Sequence, residues 1–293
     1  MKFKRYVKLY FGYLAQNLKS LMEFRLDFFI GLVGFFFLQA CGVIFISLVF
    51  SSIPNLQGWS FYEVLFIYGF AQIPRGLDHV FTDNLWLYAG WKIAKGEMDR
   101  LLTRPLNPLF QLIAERFQPD GIGEFLIGLI LTILAATKLG IEFTVGKVLV
   151  FIVSVICGAI IITAIKLFYT SFSFWVKRSQ SYLYTAYNFN EFCYYPISIY
   201  NKTIQFILTF IIPFAVTSYF PASYLLGKGS FELGFFFPII VSVIGLSVSY
   251  FFWKIGLKHY ESAGTWESSQ RRRRPCTLPQ NLHPESVPGL TGG

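Results

Sequence analysis

The chain has 293 residues, of which 54% are hydrophobic and only 14% charged, with a formal net charge of +9. Soluble domains carry about 25% charged residues, so this composition excludes an ordinary soluble domain; the 34 Phe and 17 Tyr suit a protein solvated by lipid, with aromatic belts at its interfaces. The basic residues cluster between apolar runs, which points to membrane topology and anionic lipid, with no nucleic-acid partner.

Lys2, Lys4, Arg5 and Lys8 imitate a signal-peptide n-region, but the apolar run that follows starts too late and is too long for a cleaved signal. Residues 6–26 are expected to form an amphipathic helix on the membrane surface. Val7, Phe11, Leu14, Leu18 and Leu21 recur at three- and four-residue spacing, while Lys8, Gly12, Gln16, Lys19 and Glu23 line another face. The plainer alternative is a cytoplasmic start to the first span.

Span 1 covers residues 28–50, 23 consecutive uncharged residues, enough to cross a hydrocarbon core of about 30 Å. A short loop with Pro54, Gly58 and Trp59 follows. Span 2 is read at residues 60–82, although its inner third holds Arg75, Asp78, His79 and nearby Asp83. Span 3 covers 121–137 with Glu124 near its inner end, and span 4 runs from Val148 to Val176 around Lys166. Span 5 covers 203–220 with Pro213, and span 6 covers 233–253 with Pro238; proline is tolerated in a span where neighbouring helices satisfy the freed carbonyl. An N-terminus inside places sixteen Lys and Arg in the cytoplasmic segments, the 177–202 loop with Lys177, Arg178 and Lys202 among them. The outer loops then hold only Lys138, Lys147 and Lys228. That asymmetry supports six transmembrane helices with both termini cytoplasmic.

Arg75, Asp78 and His79 stand at i, i+3 and i+4 and share a helix face. Ionisable residues at membrane depth are candidate functional groups; the structural alternative is a local Arg75–Asp78 pair near the inner interface. Lys166 lies late in span 4 and is expected to snorkel to the cytoplasmic face.

Enzyme signatures are missing. The nearest string to a phosphate-binding loop, Gly140 to Val148, is one residue too long and lacks the terminal hydroxyl. The three histidines form no HExxH, no GxSxG elbow occurs, and the four cysteines show no metal-ligand spacing. The chain is therefore expected to be no enzyme and to hold neither metal nor cofactor.

The longest cytoplasmic loop contains KGEMDRLLTRPLNPLFQ, residues 95–111. Glu97, Met98, Asp99, Arg100, Leu101 and Leu102 are expected to form a short helix that ends before Arg104 and Pro105. Apolar side chains exposed in the cytosol call for a partner.

This segment, together with GWSFYEV (58–64), YPISIY (195–200), FPASYLLG (220–227) and GLKHYESAG (256–264), resembles ABC-2-type exporter permeases over about residues 5–265. The resemblance implies an all-α membrane subunit with six spans that works as a dimer, commonly with a second, different permease. It also implies that the 97–105 helix, between spans 2 and 3, couples to a separate ATPase subunit that binds ATP and Mg²⁺. The expected division is an interfacial segment 1–27, a transmembrane domain 28–265, and a basic Pro/Gly-rich tail 266–293 that is foreign or disordered. The function expected is ATP-driven export of an amphipathic lipid, drug or peptide across the cell membrane. An ion-coupled secondary transporter and a non-transporting assembly or sensor subunit are the alternatives; the former would want inverted repeats with midplane acids.

Overall fold

The computed structural model describes residues 2–23 and 25–262, so the 266–293 tail lies outside the described residues. The described part is helical, with one isolated β-bridge between Leu56 and Trp59 in the turn after the second helix. Helix α1 spans Lys2–Glu23 and α2 spans Arg25–Ser52. Helix α3, Phe61–Thr82, starts where the Ser60 N–H donates to the Glu63 carboxylate at 2.8 Å. Two short helices follow, α4 (Glu97–Leu102) and α5 (Pro108–Ala114), and then the long α6 (Asp120–Leu139) and α7 (Val145–Ser171).

Among the described residues, four helical stretches are long and apolar enough to cross a membrane: Phe29–Ser52, Asp120–Leu139, Val145–Val176 and Glu232–Lys258. Helix α3 is not among them, because its second half carries Gln72, Arg75, Asp78 and His79. It is nonetheless the axis of the bundle. Every residue from Val64 to Pro74 is buried, as expected of a helix enclosed on all sides. Its closest neighbour is α6. A Cβ on Gly76 would lie 2.5 Å from the Phe125 backbone nitrogen, and one on Gly121 would lie 2.7 Å from the Gly76 carbonyl. Glycine at both positions lets the two backbones touch.

The long helices define two ends of the molecule. Trp59 marks one, and the polar connection that contains Glu115 marks the other. Between Ser179 and Ser198 the chain travels from the second to the first alongside α3. The Ser179 N–H donates to the Ala89 carbonyl at 2.9 Å, Tyr187 meets Trp86 with ring centroids 5.3 Å apart, Tyr194 meets Tyr68 at 5.5 Å, and Ser198 accepts from Trp59 Nε1 at 2.9 Å. The stretch consists of α8, Gln180–Asn188, followed by two 3₁₀ segments, Phe189–Tyr194 and Ile197–Ile199. The expected cytoplasmic 177–202 loop is thus corrected: Lys177 and Lys202 lie at opposite ends. Hydropathy misses the stretch because Tyr187 and Tyr194 face Arg75 on the polar side of α3.

The expected fifth span is corrected with it. Lys202–Ile211 and Phe214–Leu225 are bent by 73°, and both outer limits of the pair lie at the Trp59 end, where Lys228 donates to the Gly58 carbonyl at 2.7 Å. The pair is a hairpin whose tip reaches Tyr187 through Phe214. Pro213 causes the bend: it has no N–H to continue the ladder, and it forces Ile212 out of helical geometry, to φ −125° and ψ 83°. The last helix, α9 (Phe237–Lys258), carries Pro238 directly after the π-helical turn Glu232–Phe236 that runs into it.

Candidate coupling surface and buried charge cluster

Helix α4 forms where the chain expects it. Gly96 precedes it at φ +80°, a left-handed conformation that glycine adopts freely, and Thr103 closes it. Its faces divide differently from expectation. Met98 and Leu101 are fully buried with Leu85, Tyr88, Ile93, Leu112, Leu167 and Trp253. Leu101 therefore cannot fill a groove on a partner; it already fills one in this chain. The exposed rim is Leu102, Thr103, Arg104 and Pro105.

Asp99 and Arg100, on the helix expected to couple to the ATPase, are also engaged internally. Asp99 accepts from the Ser262 hydroxyl at 2.7 Å, and Arg100 pairs with Glu115. Glu115 is the hub of the loop, and the sequence reading did not single it out. It also accepts from Tyr88 at 3.0 Å and lies 3.5 Å from Lys92, which in turn lies 3.7 Å from Glu97. Burial works against its charge, but Lys92, Tyr88 and Arg100 together hold the Glu115 carboxyl below its ordinary value. Gln111 Nε2 clamps the turn by donating to the Leu101 and Leu106 carbonyls at 3.0 and 3.2 Å.

Helix α1 braces the same loop. The Asn107 N–H donates to Tyr6 Oη at 3.3 Å, Arg104 to Tyr13 Oη at 3.2 Å, and Asn17 Nδ2 to the Glu115 carbonyl at 3.3 Å. Tyr6, Tyr13 and Asn17 form a third face that the apolar–polar division of this helix did not anticipate.

The ionisable residues of α3 pair across helices. Arg75 Nε lies 2.9 Å from Glu124 of α6, and Asp78 lies 2.6 Å from Lys166 Nζ of α7. The expected Arg75–Asp78 pair is absent: a three-residue step also turns the two side chains toward different neighbours. Asp78 further accepts from Thr82 and Thr163 hydroxyls at 2.5 and 2.7 Å. The snorkelling expected of Lys166 is overturned as well, since that residue is 1% exposed. Its face of α7 is covered by α3, so the side chain has no lipid route to the interface. His79 lies 3.3 Å from Glu124 and 3.8 Å from Asp83. The Arg75 guanidinium sits 5.4 and 5.7 Å from the ring centroids of Tyr187 and Tyr194. Glu124 was visible as a lone acid in an apolar run, but its partner was not.

A bundle of this kind, with a braced helical loop at one end and a proline-broken hairpin at the other, is matched over residues 36–264 by the family model described as ABC-2 family transporter protein. The chain belongs to the ABC-2 transporter family. No curated protein and no solved structure matches it. As an ABC-2 chain it is a membrane permease of an ABC-type transporter, a class that associates with an ABC ATPase. The ABC-2 match begins inside α2, so α1 lies outside the matched residues.

Proposed function

We propose that this chain is the permease subunit of an ATP-driven exporter of an amphipathic substrate, and that the α4 rim is its contact with a separate ATPase. The observation that carries this reading is the packing of α4 beneath the rim. Force from a separate motor moves the bundle only through a stiff contact; Met98 and Leu101 pack α4 against Leu167 of α7 and Trp253 of α9, and Arg100 ties it to the Glu115 hub. Leu102 and Arg104 present one apolar and one cationic side chain on that support. In this reading the chain hydrolyses nothing itself: ATP and Mg²⁺ belong to the partner, and a second permease, different or identical, completes the pathway.

The topology proposed is six crossings of the cell membrane with the Glu115 end and both termini cytoplasmic, the stretch 180–200 replacing 203–220 as the fifth. Moving Lys202 to the outer side leaves the positive-inside bias standing. An apolar cavity of 370 Å³ between α7, the hairpin tip and α9, lined by Phe168, Tyr169, Phe210, Pro213 and Phe237, suits the apolar part of a substrate. An ion-coupled mechanism would need an acid free to take up a cation; Asp78 and Glu124 are already held by Lys166 and Arg75.

The test is co-purification in mild detergent of this chain with its ABC ATPase. Leu102→Asp alters one exposed side chain and leaves the Arg104–Tyr13 bond in place, so the permease is expected to fold while the ATPase is lost or its hydrolysis becomes insensitive to substrate. Normal ATPase recovery with normal transport defeats the assignment.

A further inference from the structure

Helix α1 carries three distinct faces. Val7, Phe11 and Leu18 form an exposed apolar stripe at four- and seven-residue spacing. Tyr6, Tyr13 and Asn17 fasten the opposite side to residues 104–115. The remaining flank is cationic: Lys4, Arg5, Lys8 and Lys19 are all exposed, and helical spacing puts them on the side of the apolar stripe away from the loop. No acid lies between Lys2 and Met22 to offset them. Along this flank runs a groove of 480 Å³ lined by Arg5, Lys8, Leu9, Gly12, Tyr13 and Gln16. Gly12 makes the notch, since a Cβ there would meet nothing within 4 Å.

We propose that this flank is a binding site for an anionic phospholipid of the inner leaflet, its phosphate held by Arg5 and Lys8 beside the Gly12 notch and its chains alongside Phe11. An apolar stripe bordered by lysine and arginine is the arrangement that lies in the headgroup layer and selects negative lipid. The third face gives the site a consequence. Lipid that fixes α1 also fixes the 104–115 backbone beneath the Leu102–Pro105 rim, so the leaflet's charge sets how stiffly the rim is held. That consequence rests on the coupling role proposed for the rim; the binding itself does not.

The test uses the full chain in neutral detergent, without the ATPase, titrated with dioctanoyl phosphatidylglycerol, dioctanoyl phosphatidylcholine or inorganic phosphate, and reads amide exchange in α1 and residues 104–115. Phosphatidylglycerol is expected to protect both segments saturably, and the other two to do so at least about tenfold more weakly. Replacing Lys4, Arg5, Lys8 and Lys19 with Gln is expected to remove the preference. Gly12→Leu, which keeps every charge and favours helix, is expected to weaken binding by filling the notch. Equal protection by phosphatidylcholine makes the surface merely apolar, and protection by phosphate alone makes it a free-anion site; either overturns the proposal, as does unchanged affinity in both variants. Loss of this binding with intact ATPase co-purification strikes only the lipid site. The reverse result strikes only the coupling reading.

Discussion

Asp78 and Lys166 show what a buried charge demands. Each is almost wholly removed from solvent, and each is tolerable because the other lies 2.6 Å away and two threonine hydroxyls satisfy the acid. Asp78→Asn or Lys166→Met alone leaves one uncompensated charge, at a cost of about 3–5 kcal/mol. The double variant is expected to recover much of that loss in thermal unfolding. Exchanging the charges of Arg75 and Asp78 is expected to bring no such rescue, since these two are not partners; rescue there would contradict the cross-helix pairing. Glu115 provides a pH test outside the bundle. Its carboxyl is held below the ordinary glutamate value of about 4.3, so its stabilising contribution is complete above that value and is lost as pH falls through the lower, folded one. Amide protection in residues 97–115, taken relative to the intrinsic exchange rate at each pH, is expected to be flat above about pH 5 and to fall on further acidification. Glu115→Gln is expected to flatten the dependence, at the low protection that the wild type shows only in acid.

At the scale of elements, the α3–α6 contact positions the charges. Backbone approach at Gly76 and Gly121 brings Arg75 and His79 within reach of Glu124. Gly76→Ala puts a methyl group where only 2.5 Å is available, so the helices must separate, at a cost of about 1–3 kcal/mol. The expected outcome is a lower unfolding temperature, whereas Gly146→Ala, in open space at the start of α7, is expected to leave it unchanged or slightly raised. Equal effects at the two positions would remove the close-approach account. The α4 element was legible in sequence because its signals are local: a glycine start, acids in the first turn and a proline stop. Which leucine faces inward was not legible, since Leu101 and Leu102 are equivalent until α7 and α9 supply Leu167 and Trp253.

The whole molecule decides the path of the chain from Ser179 to Lys228. In a background without native cysteines, Asn55→Cys and Asn201→Cys are expected to react with an impermeant thiol reagent from outside, and Asn107→Cys only after permeabilisation. Labelling at Asn201 separates the observed arrangement from a cytoplasmic 177–202 loop, because Ser198 is bonded to Trp59 while Ser179 is bonded to Ala89. If Asn201 labels with Asn107, the stretch along α3 does not cross.

Composition and apolar run length alone established a helical membrane protein, three of its long apolar helices at nearly their observed limits, the amphipathic α1 and the short α4. Each depends on a pattern that one segment carries by itself: total apolarity, three- and four-residue periodicity, or a cap and a stop. The tertiary structure decided the partners of Arg75, Asp78 and Lys166, the inward turn of Leu101, the path of residues 180–200 alongside α3, and the bend within 202–225. Hydropathy measures what a segment would prefer as solvent. A polar stretch facing the polar side of α3 and an apolar hairpin that turns back on itself both violate the assumption that lipid is the neighbour, and only the neighbouring helices reveal it.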